Sequence, residues 1–148
     1  MRKNLSVTLT DDQWSQLSAH LFPGDLDEHA AILRCGVVAT PSGTRLLVRD
    51  VSLARDGIDY VPGMRGYRML TADFVLHNIN VCDKDRLAYI AVHCHGGRTS
   101  VAFSGDDMAS HERGYPALLE ISRGMPVGAL VFASEAAAGD IWFPDGSR

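Results

Sequence analysis

EHAAILRCGVVATPSGTRLLVRDVSL, residues 28–53, is a β-hairpin spelled out in side chains. From Glu28 to Ala39 the residues are mostly small or apolar, Pro41-Ser42-Gly43-Thr44 supplies turn chemistry, and Arg45 to Leu53 reads as the returning strand. Upstream, Leu5 to Leu9 alternates like a short strand. Thr10 followed three residues later by Gln13 has the form of a capping box, which places a helix over Asp11 to His20 that stops before Pro23-Gly24. Downstream, residues 54–70 carry three glycines and a proline among charged and aromatic side chains, more like a long functional loop than an element. Thr71 caps a second helix to about Asp85, with Ala72, Val75, Leu76, Ile79 and Cys82 at helical spacing on one face. Leu87 to His95 is a further strand, and a Gly96-Gly97 break leads to a helix after Ser104. Gly114 and Pro116 are expected to interrupt that helix, which restarts through Glu120. A strand at Val127 to Ala133, a glycine-containing turn and a short strand at Asp140 to Phe143 close the chain. This order predicts an α/β (α+β) fold, a mixed sheet flanked by helices.

With 148 residues, 46% of them hydrophobic, the chain is expected to form a single domain over residues 1–148. A domain of this size buries roughly 68–70% of its unfolded surface. The 14 basic and 18 acidic residues give a net charge of −4 with no block of one sign, so there is no electrostatic footprint for nucleic acid or for an anionic membrane. Ser6, Thr8, Thr10 and Asp11 interrupt any apolar run a signal peptide would need, and no segment approaches the ~20 apolar residues of a membrane span. Three cysteines, Cys35, Cys82 and Cys94, make an odd count without framework spacing, which points to a reducing compartment and a cytoplasmic location.

The chemistry centres on AVHCHGG. His93 and His95 are two apart on a strand, so both imidazoles project to one face while Cys94 projects to the other. That is half a metal site. A catalytic zinc takes three ligands from protein and leaves one position for water, so a further His, Asp or Glu must arrive from elsewhere. In FSGDDMASHE, Ser104 and Asp107 stand as S-x-x-D at a helix start, with Asp107 in the first turn pointing back towards the histidines. Asp106 turns roughly 100° away around the helix. A catalytic zinc also needs a base for its water, and Glu28, at the mouth of the apolar strand HAAILRCG, is the candidate.

His93-x-His95, Ser104-x-x-Asp107 and Glu28 before an apolar strand ending in Gly36 together resemble the JAMM (MPN-plus) zinc metallopeptidases, in particular short bacterial JAB-domain, deubiquitinase-like proteins encoded beside ubiquitin-activating-like enzymes. The resemblance runs from Glu28 to about Ala133. It implies a curved mixed sheet of JAMM/MPN-like (cytidine-deaminase-like) architecture, with His93, His95 and Asp107 as Zn2+ ligands, Glu28 as the base that activates zinc-bound water, and Ser104 as a donor to the oxyanion. It also implies a substrate: the peptide or isopeptide bond after the C-terminal tail of a ubiquitin-like protein, gripped as an added strand. An activating-like enzyme encoded nearby is an implied partner. Two departures lie in the loop between the ligands, Gly96 where the family commonly has proline and a His95-to-Ser104 spacing one residue longer than is common.

Other residues read as structural. Cys94 lies between two histidines in sequence, yet strand geometry denies it both as a base, so a buried inert thiol is expected. Cys35 and Cys82 fall on apolar segments as core residues, His111-Glu112 reads as a solvated pair, and His20, His29 and His77 have no evident partner. The loop contains Tyr60, Met64 and Tyr67, and exposed aromatics there, Tyr60 and Tyr67, would suit a protein partner. Two other functions fit the same fold: a non-catalytic scaffold or tail-binding module, against which the complete ligand set speaks, and a zinc hydrolase of small peptide or amino-acid conjugates.

Overall fold

The hairpin is the centre of the molecule. In the computed structural model, which describes residues 4–64 and 66–148, β2 (Ala30–Thr40) and β3 (Gly43–Leu53) pair antiparallel across a two-residue turn at Pro41 and Ser42. β1 (Asn4–Thr8) lies parallel to β3, with Asn4 opposite Gly43. This approach is close enough to demand glycine: a Cβ at Gly43, where φ is 152°, would stand 1.8 Å from the Asn4 carbonyl oxygen. On the other side β2 pairs antiparallel with β4 (Ala88–Cys94), β4 runs parallel to β5 (Val127–Ala133), and β6 (Ala136–Trp142) closes antiparallel on β5. The six-stranded mixed sheet has the order β1-β3-β2-β4-β5-β6.

Strand alternation sorts the sheet's side chains into two cores. Ala31, Leu33 and Cys35 of β2, with Ala88, Ile90, Val92 and Cys94 of β4, pack against Leu17 and Leu21 of α1 (Asp11–Leu21). Ala30 and Ile32, with Tyr89, Val127 and Ala129, face α2 (Ala72–Asp85) and α3 (Gly105–Ser122) through Phe74, Ile79, Cys82 and Tyr115. The parity that sends Cys94 to α1 sends His93 to the α3 side. No helix among the described residues is long and apolar enough to cross a membrane.

The helix starts follow their sequence signals. Thr10 and Gln13 form a reciprocal capping box on α1, and the Thr71 side chain caps α2 through the Phe74 N–H. Three expectations are corrected. The buried face of α2 is Phe74, Asn78, Ile79 and Cys82, whereas Leu76 is 51% exposed and Ala72 faces outward. Asn78 occupies the core because its amide donates to the Phe74 carbonyl and accepts from Arg34, so burial leaves neither end unpaired. Secondly, α3 passes through Gly114 and Pro116 without a break. Pro116 and Glu112 both lie on the exposed side, where water can take the Glu112 carbonyl that proline leaves without a helical donor. Thirdly, the last turn is Ser134-Glu135, and the glycine assigned to it, Gly139, sits inside β6 opposite Leu130.

Candidate metal centre

The end of β4 and the start of α3 meet on the sheet face that carries His93. β4 is held on both sides, His93 registering with Ala30 of β2 and Val131 of β5, and the His95 N–H continues the ladder to the Phe132 carbonyl at 2.9 Å. The two imidazoles stand 4.7 Å apart between centroids, with their Nε2 atoms 3.1 Å apart. On α3, the Ser104 hydroxyl accepts from the Asp107 N–H at 3.0 Å, and the Asp107 carboxylate accepts from the Ser104 N–H at 2.8 Å. This capping box turns the Asp107 carboxylate back to the histidines: its Oδ2 lies 3.2 Å from His93 Nε2 and 3.3 Å from His95 Nε2. Asp107 is buried and Asp106 is exposed.

Glu28 enters from the mouth of β2, its Oε1 3.4 Å from His95 Nε2. Its ligand atom lies with those of His93 and His95 in a group no wider than 4.8 Å. Tetrahedral ligands ~2.0–2.1 Å from a zinc ion stand about 3.3 Å from one another, and the contacts among His93, His95 and Asp107 match those edges. The donor chemistry agrees. His95 Nδ1 lies 3.1 Å from the Ala102 carbonyl, which can only accept, so Nδ1 carries the proton and Nε2 turns a lone pair inward. Two imidazole nitrogens and two carboxylates converge here, and among the described residues neither carboxylate pairs with a lysine or arginine, so the group could hold a metal ion. Asp107 Oδ2 meets both imidazoles. Glu28 approaches His95 at a similar distance, so that Glu28, His93 and His95 by themselves form a group that could hold a metal ion.

The carboxylates differ in electrostatics. Burial pushes the Asp107 carboxyl up, but hydrogen bonds from His93 and Ser104 outweigh it and hold the group well below the usual carboxylate range. For Glu28 burial dominates and raises it, with the two histidines pulling against that. Cys94 is buried, accepts the His29 N–H on its sulfur, and has its thiol pushed up by burial. Cys35 and Cys82, also buried, are pushed up to about 12.

The loop at residues 54–70 holds Glu28 in place, which sequence reading missed. The Glu28 N–H donates to the Gly66 carbonyl at 2.7 Å, and Arg68 Nε donates to the Glu28 carbonyl at 2.9 Å. Arg68 also bonds Asp56 and His29 and lies 3.7 Å over the Tyr60 ring. Tyr60 is therefore not an exposed recognition group: it is 6% exposed, and its hydroxyl accepts the Ala30 N–H at 2.8 Å. Tyr67, at 37%, remains accessible, and Arg65 lies outside the described residues. Three histidine expectations also change. His20 bonds the Ala30 carbonyl, His29 is buried between Asp25 and Arg68, and His111 is buried with Nδ1 2.7 Å from Asp140 and its ring stacked on Tyr115. Asp25 and Tyr115 lie four residues from their histidines, but the remaining partners lie at least ten residues away in sequence, where no local pattern carries the pairing.

A cavity of about 270 Å³ opens beside the centre. Glu28, His93, Asp107 and Tyr67 stand among its lining, and the remainder is mostly apolar.

No family model matches this chain and no curated protein matches it. Among solved structures, it is similar to the solution structure of protein DSY2949 from Desulfitobacterium hafniense, with a TM-score of 0.53 and 13% identity over 97% of this chain and 87% of that one. At that identity the likeness concerns the fold alone.

Proposed function

We propose that this chain is a zinc-dependent peptidase of the JAMM (MPN-plus) kind, an isopeptidase that cleaves after the C-terminal tail of a ubiquitin-like protein. The observation that supports it is the convergence of His93, His95 and Asp107 at tetrahedral edge distances with a second carboxylate, Glu28, beside them. The order is also that of the family resemblance: H-x-H at a strand end, S-x-x-D at the next helix start, and the glutamate at the mouth of the neighbouring strand.

Bound by His93, His95 and Asp107, zinc would polarise the scissile carbonyl and lower the pKa of water. Glu28 takes the proton of the attacking water on its carboxylate and delivers it to the leaving amine nitrogen. Its placement on a backbone clamped by Arg68 and Gly66 keeps that carboxylate in reach of both proton donor and acceptor. Ser104 uses its oxygen to accept the Asp107 N–H, which leaves the hydroxyl proton available to the developing oxyanion. Tyr67 offers an accessible aromatic surface beside the cleft for the substrate tail.

Elemental analysis of purified protein is expected to find about one zinc per chain, and the zinc-loaded protein is expected to hydrolyse a ubiquitin-like fusion at the tail. Zinc binding without turnover of any fusion or peptide would favour the tail-binding module. A second reading, a zinc hydrolase of small peptide or amino-acid conjugates, draws support from the apolar cavity, which suits a single side chain better than an extended strand. A panel of dipeptides and N-acyl amino acids run against the fusion separates the two.

A further inference from the structure

We propose that the cavity beside the centre is a pocket for one apolar side chain, of leucine to phenylalanine size, on the substrate residue that adjoins the scissile amide. The proposal rests on the hydrolase reading for its placement and on the cavity itself for its chemistry.

The floor is the sheet. Ala30, Ala91 and Ala129 stand on neighbouring strands β2, β4 and β5, all on the α3 side, with Ala91 directly opposite Ala129 in the register. Larger residues here would fill the space under the helices, as Ile32 does elsewhere on the same face. Val75 of α2, with Tyr115 and Leu118 of α3, makes the opposite wall. Packed interiors contain few voids larger than a water molecule, and an apolar cavity of about 150 Å³ already binds benzene. At about 270 Å³ this one accommodates an aromatic ring or a branched aliphatic group.

Charged groups are disfavoured because most of the lining is apolar and most of its polar groups are already engaged. Arg68, at the mouth, is committed to Asp56, His29 and the Glu28 carbonyl, and Asp107 to the centre and Ser104. His111, on the wall, donates its Nδ1–H to the Asp140 carboxylate. A lysine or aspartate side chain entering the pocket would give up most of its hydration for a lining that, apart from the groups of the centre, Arg68, His111 and a few hydroxyls, is apolar. An apolar one loses only water, and its carbonyl is left among Glu28, His93 and Asp107, which line the same cavity.

The test uses the zinc-loaded protein and the N-acetyl hydroxamates of glycine, leucine, phenylalanine and lysine, whose shared chelating group reads the centre and whose side chains read the pocket. Calorimetric titration is expected to give leucine and phenylalanine compounds about tenfold to hundredfold tighter binding than glycine or lysine compounds, the gain from burying one such side chain. Ala91→Leu, which fills the floor, and Leu118→Phe, which fills the wall, are expected to abolish that preference while leaving the glycine compound's affinity unchanged. Equal affinity across the series, or a preference that survives both variants, overturns the proposal. Isobutylbenzene added to metal-free protein gives an arm independent of zinc, expected to raise the melting temperature of the wild type but not of Ala91→Leu. A protein that binds isobutylbenzene yet takes up no zinc refutes the hydrolase reading and the placement next to an amide. One that takes up zinc but shows no isobutylbenzene effect and no side-chain preference refutes the pocket alone.

Discussion

At the scale of single residues, the two carboxylates of the centre carry different burdens despite sharing a charge. Asp107 Oδ2 is within 3.3 Å of both imidazoles and is fixed by the Ser104 N–H, the placement asked of a member of the proposed ligand set. Glu28 is held through its backbone, by Arg68 and Gly66, which leaves its carboxylate free to exchange a proton. Asp107→Ala is therefore expected to lose most of its zinc in an elemental assay. Glu28→Ala should keep zinc and lose hydrolysis by several orders of magnitude, and equal zinc loss in the two would remove Glu28 from the base role. Tyr60 carries a prediction of a different kind. Its hydroxyl is the acceptor for the buried Ala30 N–H, so Tyr60→Phe leaves that donor unsatisfied and should cost about 1–3 kcal/mol in urea unfolding. A Phe variant as stable as wild type would show that the strand finds another acceptor.

Elements decide whether such groups meet, and the start of α3 is the clearest case. Ser104 is both the N-cap and the proposed oxyanion donor, two roles that substitution can separate because glycine is nearly as good a cap as serine whereas alanine is poor. Ser104→Gly is expected to lose only a few tenths of a kcal/mol of stability, and Ser104→Ala about 1 kcal/mol. Both should lower kcat about 10²-fold or more if the hydroxyl serves the oxyanion. Activity that tracks stability rather than the hydroxyl would leave Ser104 a cap alone. The same element shows where sequence reading works. Caps at Thr10, Thr71 and Ser104 are local, made by residues three apart, and each lies in the structure where the pattern placed it. The breaker rules misled because their cost depends on surroundings: Pro116 is tolerated on a solvated face, and Gly139 sits in the last strand of the sheet with Leu130 over it. Period-two spacing likewise put His93 and Cys94 on opposite faces, whereas Asn78 could not be read as buried until Arg34, from another element, was seen to satisfy it.

At the scale of the whole molecule, the polar groups that sequence left without partners are the ones that bind distant segments together. Asp140 of β6 accepts from His111 of α3, from Trp142 Nε1 and from the Arg148 guanidinium at the chain's end, and is 8% exposed. Trp142 and Arg148 are near Asp140 in sequence, but nothing local announces His111, which comes from α3, 29 residues away. Burial pushes the Asp140 carboxyl up, but the bonds from Arg148, His111 and Trp142 outweigh it and leave the group below its ordinary value. A carboxylate depressed in the folded state contributes stability that is fully present above its unfolded pKa, ~3.9, and is lost as pH falls through the folded value. Asp140→Asn keeps the shape but not the charge, so at pH 7 it should be less stable than wild type by roughly 1.5–3 kcal/mol, the worth of hydrogen bonds to a charged group. As pH drops below ~3.9 the unfolded wild-type chain takes up a proton that the folded carboxylate accepts only at lower pH, and the gap between the two urea-unfolding midpoints should narrow. Asp59 and Asp107 make no contact with this network, so the difference between the two proteins reads Asp140 together with Glu112, which shares Arg148 with it. A gap that stays constant from neutral pH into acid would mean that the network holds these segments by shape and neutral hydrogen bonds, and that the charge on Asp140 contributes nothing.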